Sequence, residues 1–183
     1  MDSGEKFKKI SFILASWFKV GYSPKAPGTC GSLAALPFIF ACIYFWGTVG
    51  AVCFAIFSFV LGWIVSREVL KYTEHDPSLI VIDEVCGQTI AFLAVAFMLQ
   101  GECSFGIWWI YAAGFGLFRL FDITKPSLVG KIDRDMQNAA GVMLDDVVAG
   151  AFAAVVLWGL LGGVHMTVGY FCPTCHYLTK ALI

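Results

Sequence analysis

The sequence predicts an all-α membrane protein: a polytopic helical bundle of about five membrane-embedded helices plus an N-terminal amphipathic interfacial helix, in one domain over residues 1–183. Three observations predict it. The chain is 59% apolar and only 14% charged, against roughly 25% charged in an ordinary soluble domain, and its mean hydropathy is +0.80. Residues 31–66 contain no Asp, Glu, Lys, Arg or His over 36 positions, well beyond the about 20 that a helix needs to cross roughly 30 Å of hydrocarbon. Eleven of the 12 basic residues fall on one side of the topology these runs define, with Lys180 alone on the other; the positive-inside rule makes the basic side cytoplasmic. So little charge disfavours a soluble globule, a disordered tail and a nucleic-acid binder.

The elements follow in order. Between Glu5 and Val20, lysines alternate with Phe7, Ile10, Leu14, Trp17 and Phe18 at near-helical spacing, so residues 1–20 suit a helix lying in the interface. A cleaved signal is the competing reading, but Lys19 interrupts its apolar core and no small-residue cleavage site follows. The 36-residue run reads as a helical hairpin that turns at Trp46-Gly47-Thr48-Val49-Gly50, with Pro37 kinking its first arm or making it partly re-entrant. Three further spans follow at 85–99, 105–118 and 147–164, and residues 165–183 form a tail. Seven cysteines give an odd count with no disulfide framework. Cys172-Pro173-Thr174-Cys175-His176 has the spacing of a c-type haem attachment site, although a Cys172–Cys175 disulfide or free thiols is the simpler reading.

The acids gather where spans begin or end on the basic side. Asp83 and Glu84 precede the third span, Asp122 closes the fourth, and Asp145 with Asp146 opens the fifth. One carboxylate at a helix start is ordinary dipole capping, worth about 0.3–1 kcal/mol. Two adjacent acids at each of two helix starts repel near a low-dielectric boundary unless a cation lies among them. Asp83, Glu84, Asp145 and Asp146 are therefore candidate ligands for Mg²⁺, which takes carboxylate oxygens, water and substrate phosphate; a solvated acidic rim is the alternative.

Bases interleave with these acids: Lys25, Arg119, Lys125 and Arg134. Acids for a metal together with bases for an anion describe a phosphate site, Arg matching phosphate oxygens with a planar fork and Lys acting as a point charge. The loop at residues 21–32 reads as a rigid turn into the first membrane arm. Its Gly28, with the Thr29 and Ser32 hydroxyls and exposed N–H groups, is a candidate anion cradle at a helix N-terminus; a simple N-cap at Thr29 or Ser32 reads the same letters equally well.

Together these segments resemble the phosphatidylglycerophosphatase A family of bacterial membrane lipid phosphatases. The resemblance rests on Gly21-Tyr22-Ser23-Pro24 leading to Pro27-Gly28-Thr29-Cys30-Gly31-Ser32, then His75-Asp76 and Ile82-Asp83-Glu84 with Gly87. It continues through Phe118-Arg119-Leu120-Phe121-Asp122 with Lys125-Pro126, Asp133-Arg134, and Gly141-Val142-Met143-Leu144-Asp145-Asp146. One departure is Asn138-Ala139, where the family usually has a glycine pair. The resemblance implies Mg²⁺-dependent hydrolysis of phosphatidylglycerophosphate to phosphatidylglycerol and inorganic phosphate at the cytoplasmic face of the bacterial inner membrane. It also implies a fold with one helix surrounded by the others.

On this reading Mg²⁺ is held by Glu84, Asp145 and Asp146 with Asp83 near, and Arg119, Lys125 and Lys25 take the developing charge. Asp122 or His75 is the general acid or base, His75 reading equally well as a helix-end residue, and Thr29 is a candidate covalent nucleophile. No Cys is followed six positions on by Arg and no Arg-Pro dipeptide occurs, which excludes two other phosphatase chemistries. The rival reading is a divalent-cation transporter or channel with the acids as its ion site; such acids belong deep within spans, whereas these lie at the mouths. The expected partners are the phospholipid substrate and the bilayer, with no nucleic acid and with homo-oligomerisation left open.

Overall fold

A computed structural model describes residues 3–73, 77–99, 108–126, 128–136 and 138–171. The described elements are helical throughout: α1 (Ser3–Ala15), a 3₁₀ turn (Val20–Tyr22), α2 (Pro27–Val69), α3 (Ile82–Leu99), α4 (Trp108–Thr124), α5 (Leu128–Asp135) and α6 (Ala139–Phe171). His75, the loop at residues 100–104 and the Cys172–Cys175–His176 tail lie outside the described residues.

The amphipathic segment forms as expected but stops at Ala15. Trp17, Phe18 and Lys19 all take positive φ, a conformation costly to L residues, and the chain reverses there. The backbone N–H of Lys19 donates to Ser16 Oγ at 3.1 Å, and Val81 N–H donates to the Ala15 carbonyl at 2.9 Å, tying the end of α1 to the start of α3. Phe7, Ile10 and Ile13 remain exposed.

Helix α2 is the predicted hairpin. Its backbone continues through Pro37 and breaks at Gly47, where φ 59 and ψ −144 lie outside the helical region; the kink expected at the proline is thus at the glycine, the residue that tolerates left-handed φ. Buried Trp17 shows the chain folding back, because its ring lies 5.2 Å from Phe38 and 6.4 Å from Phe54. Sixteen residues of straight helix would hold those two phenylalanines about 24 Å apart. The Thr48 hydroxyl, at the hairpin tip, donates to the Ala96 carbonyl at 2.9 Å near the far end of α3.

The count of about five crossings is not supported. Among the described residues two helices are long and apolar enough to cross a membrane, Pro27–Val69 and Ala139–Leu161. α3 has 18 residues and α4 has 17. An apolar run signals burial, and burial against protein and burial against lipid look alike in sequence. α3 is the case in point: Val85, Cys86, Gln88, Ala91, Phe92 and Val95 are all fully buried, with α2, α4 and α6 packed around it.

Glycines set the spacing of α3 and α6. A Cβ at Gly150 would meet the Gly87 carbonyl oxygen at 2.3 Å and its Cα at 3.1 Å, and one at Gly87 would meet the Asp146 carbonyl oxygen at 2.6 Å. These obstacles are backbone, so they cannot rotate away. Gly150→Ala is expected to destabilise the protein by about 1–3 kcal/mol, the usual cost of overpacking, read as a lower thermal midpoint in detergent.

Candidate active site

Four helix ends meet at one end of the bundle: the starts of α2, α3 and α6, and the finish of α4. Between them lies a cavity of about 340 Å³ whose lining includes Ala26, Pro27, Gly28, Ser78, Asp83, Glu84, Arg119, Asp122, Lys125, Asp145 and Asp146. Asp83 and Glu84 occupy the first turn of α3, where the helix dipole favours negative charge. Asp146 reaches them from α6, and one oxygen of each of these three carboxylates lies within 4.8 Å of the others. The close α3–α6 crossing at Gly87 and Gly150 is what permits this.

In both adjacent pairs the first acid folds back on the second. Asp83 Oδ1 accepts from the Glu84 N–H, and Asp145 Oδ1 from the Asp146 N–H, each at 3.0 Å. Burial pushes the Glu84 carboxyl up to about 8, with Asp146 and Asp122 adding to the rise and Asp83 and Arg119 opposing it. Burial, and then the charge of Glu84, raises Asp83 well above the usual carboxylate range. Such a cluster binds protons strongly because it needs positive charge. Glu84 Oε2 is moreover buried with no hydrogen-bond partner among the described residues. Hard oxygen donors with an unclaimed lone pair suit a hard divalent cation.

The cationic half of the cavity is built by Arg119 and Lys125. Arg119 Nη1 pairs with Asp122 Oδ2 and lies 3.9 Å from Glu84 Oε1. Its Nε is buried without a hydrogen-bond acceptor among the described residues, and an orphaned guanidinium donor beside a polar cavity is poised for an oxyanion. Lys125, held at φ 42, places its ammonium 3.1 Å from Asp145 Oδ2. Gly28 makes room for both halves: a Cβ there would lie 2.1 Å from Glu84 Oε1 and 3.1 Å from Arg119 Nη1.

Of the residues expected from sequence, the structure brings Asp83, Glu84, Asp146, Asp122, Arg119, Lys125, Asp145 and Gly28 to one cavity. Asp145 lines the same cavity but is not in that group of three, and its Oδ2 pairs with Lys125. Successive residues of a helix point about 100° apart, so neighbouring acids meet different partners. Lys25, Thr29, Ser32 and Arg134 are not in the cavity lining. Ser32 is buried one turn deeper and donates to the Gly28 carbonyl at 3.0 Å, while Lys25 and Arg134 are exposed. Sequence reasoning missed Ser78 and Met136, which also line the cavity from connecting segments whose letters carry no chemical signal.

A family model described as Phosphatidylglycerophosphatase A matches residues 13–161. The chain belongs to the phosphatidylglycerophosphatase A family. It is a phosphatase, and its apolar helices suit the membrane-associated setting of that family. Phosphatidylglycerophosphatase A of Escherichia coli (strain K12) is 33% identical over 159 residues, covering 86% of each chain. Phosphatidylglycerophosphatase A of Haemophilus influenzae is 33% identical over 166 residues, covering 87% of this chain and 97% of the relative. A Bacteroides thetaiotaomicron protein provisionally named a phosphatidylinositol-3-phosphatase is 35% identical over 161 residues, covering 82% of this chain and 94% of that one. Comparison with solved structures gives no significant match. The matched span contains every element that lines the cavity, from the start of α2 to the first turns of α6.

Proposed function

We propose that this member of the phosphatidylglycerophosphatase A family hydrolyses the terminal phosphomonoester of phosphatidylglycerophosphate, releasing phosphatidylglycerol and inorganic phosphate. The reaction takes place at the cytoplasmic face of the bacterial inner membrane, with Mg²⁺ as cofactor. One observation carries the reading: in a single cavity, three carboxylates within 4.8 Å of one another face an arginine that is paired through Nη1 with Asp122 and whose buried Nε has no hydrogen-bond acceptor among the described residues. Asp83, Glu84 and Asp146 would hold the ion, which supplies Lewis-acid polarisation of the phosphoryl group and of water.

The remaining work falls to the chain's own residues. Arg119 binds the phosphoryl oxygens and is held in orientation by its ion pair with Asp122. Lys125 adds a second positive charge, positioned by Asp145. Water is the nucleophile, since Thr29 does not line the cavity. Of the two groups expected to move a proton, Asp122 lines the cavity and takes that role as a base: its carboxylate accepts a proton from the attacking water as the P–O bond breaks, and the departing glycerol oxygen takes its proton from solvent. Acids at helix starts rather than deep within spans leave the cation-transporter reading without support.

The test is phosphate release by the purified full-length protein from phosphatidylglycerophosphate, phosphatidylinositol 3-phosphate and phosphatidic acid, each with Mg²⁺ or with chelator. Release fastest from phosphatidylglycerophosphate, lost with chelator and restored by Mg²⁺, is the expected result. Release that chelator leaves untouched would remove the metal from the reading, and a preference for either other lipid would replace the substrate.

A further inference from the structure

A lipid phosphatase must admit a headgroup to a polar cavity while its acyl chains stay in the bilayer, so the cavity wall should turn apolar where the lipid enters. The lining contains three large aliphatic side chains, Ile80, Ile123 and Val142. Ile80 and Val142 are 4% and 7% exposed; Ile123 is 68% exposed. Ile123 thus belongs to the cavity and to the outer surface at once, with Asp122 lining the cavity on one side of it and Lys125 close on the other. Leaving the cavity past either of the other aliphatics leads into packed protein. Leaving it past Ile123 leads out onto α4.

The outer face of α4 continues the same apolar surface. Trp109, Ala112, Gly116, Leu120 and Ile123 recur at intervals of three or four, which places them on one side of the helix, and all are exposed. A Cβ at Gly116 would meet nothing within 4 Å, so the stripe is indented at its middle rather than ridged. From Ile123 to Trp109 it runs about 21 Å, more than the about 15 Å depth of one leaflet's hydrocarbon. It starts at the level of the phosphate-facing groups Arg119 and Lys125 and descends from there.

Resting on the phosphatidylglycerophosphatase reading, we propose that the lipid substrate enters the cavity sideways over Ile123, with an acyl chain lying along the α4 stripe through Leu120 and Gly116. Ile123 is then a specificity-determining residue for the acylated substrate and has no part in the chemistry.

The experiment compares Ile123→Asn with Val155→Asn, an equally exposed aliphatic on α6 at 68% that lines no part of the cavity. Each variant is assayed on long-chain phosphatidylglycerophosphate in mixed micelles and on its deacylated, water-soluble counterpart. Ile123→Asn is expected to lower kcat/KM on the long-chain lipid about tenfold, the scale of one lost aliphatic contact, and to leave the deacylated substrate unchanged. Val155→Asn is expected to change neither. Equal losses on both substrates for Ile123→Asn, or the same long-chain loss for Val155→Asn, would overturn the portal while leaving the phosphatase reading intact. Wild-type protein that released phosphate from neither substrate would overturn the substrate assignment, and the portal with it.

Discussion

Asp146→Asn is expected to lower kcat/KM for phosphate release by about 10³, while its neighbour Asp145→Asn lowers it by only about 10–100-fold. The two residues are adjacent, acidic and buried, and the substitution is the same, so the difference tests geometry alone. Asp146 shares a space of 4.8 Å with Asp83 and Glu84; neutralising it removes a third of the negative charge that would hold the ion. Losing one preorganised electrostatic group at a reacting centre costs about 10²–10³ in rate, and the metal would bind more weakly as well. Asp145 acts through Lys125, 3.1 Å away, and partners of this indirect kind cost about 10–100-fold. The two variants should also separate in their Mg²⁺ requirement: Asp146→Asn needs more Mg²⁺ for half-maximal rate, whereas Asp145→Asn keeps the wild-type requirement and raises KM. Equal losses with equal shifts in Mg²⁺ requirement would mean that both acids are ligands and that the Lys125 pair is incidental.

This division of labour marks the boundary of what the letters could tell. The acids and bases were legible because composition made them stand out: in a chain with 14% charged residues, paired carboxylates at span mouths have few bland explanations. The hairpin was legible too, since Gly47 and Gly50 interrupt an apolar run near its middle. Which member of Asp145-Asp146 faces which neighbour was hidden, because it depends on the rotation of α6 about its own axis, and that is set by the Gly87–Gly150 contact some 60 residues apart in sequence. The crossing count lacks support for a related reason. The 85–99 run is apolar because α3 is enclosed by protein, and hydropathy does not distinguish a neighbouring helix from a lipid tail. Thr29 and Ser32 were chosen for their hydroxyls, yet it is Gly28, with no side chain at all, that faces Glu84 and Arg119.

That last point gives the sharpest separation between folding and activity. Gly28→Ala adds one methyl group at a helical position where φ is not positive, so the backbone accepts it, and alanine favours the helix by up to about 1 kcal/mol over glycine. The new Cβ would stand 2.1 Å from Glu84 Oε1 and 3.1 Å from Arg119 Nη1. Both obstacles are ends of flexible side chains, which can swing aside without disturbing any helix. Stability should therefore be unchanged or slightly higher, and the thermal midpoint in detergent should not fall. The displaced carboxylate, however, leaves its position beside Asp83 and Asp146, and the guanidinium moves with it because Asp122 ties Arg119 to the same wall. A displacement of about 1 Å at a reacting centre costs about 10²-fold, so kcat/KM is expected to fall by at least that much. A variant that melts early and loses activity in proportion would make Gly28 merely a packing residue. One that stays folded and turns over at the wild-type rate would show that Glu84 does not act from the position it occupies here.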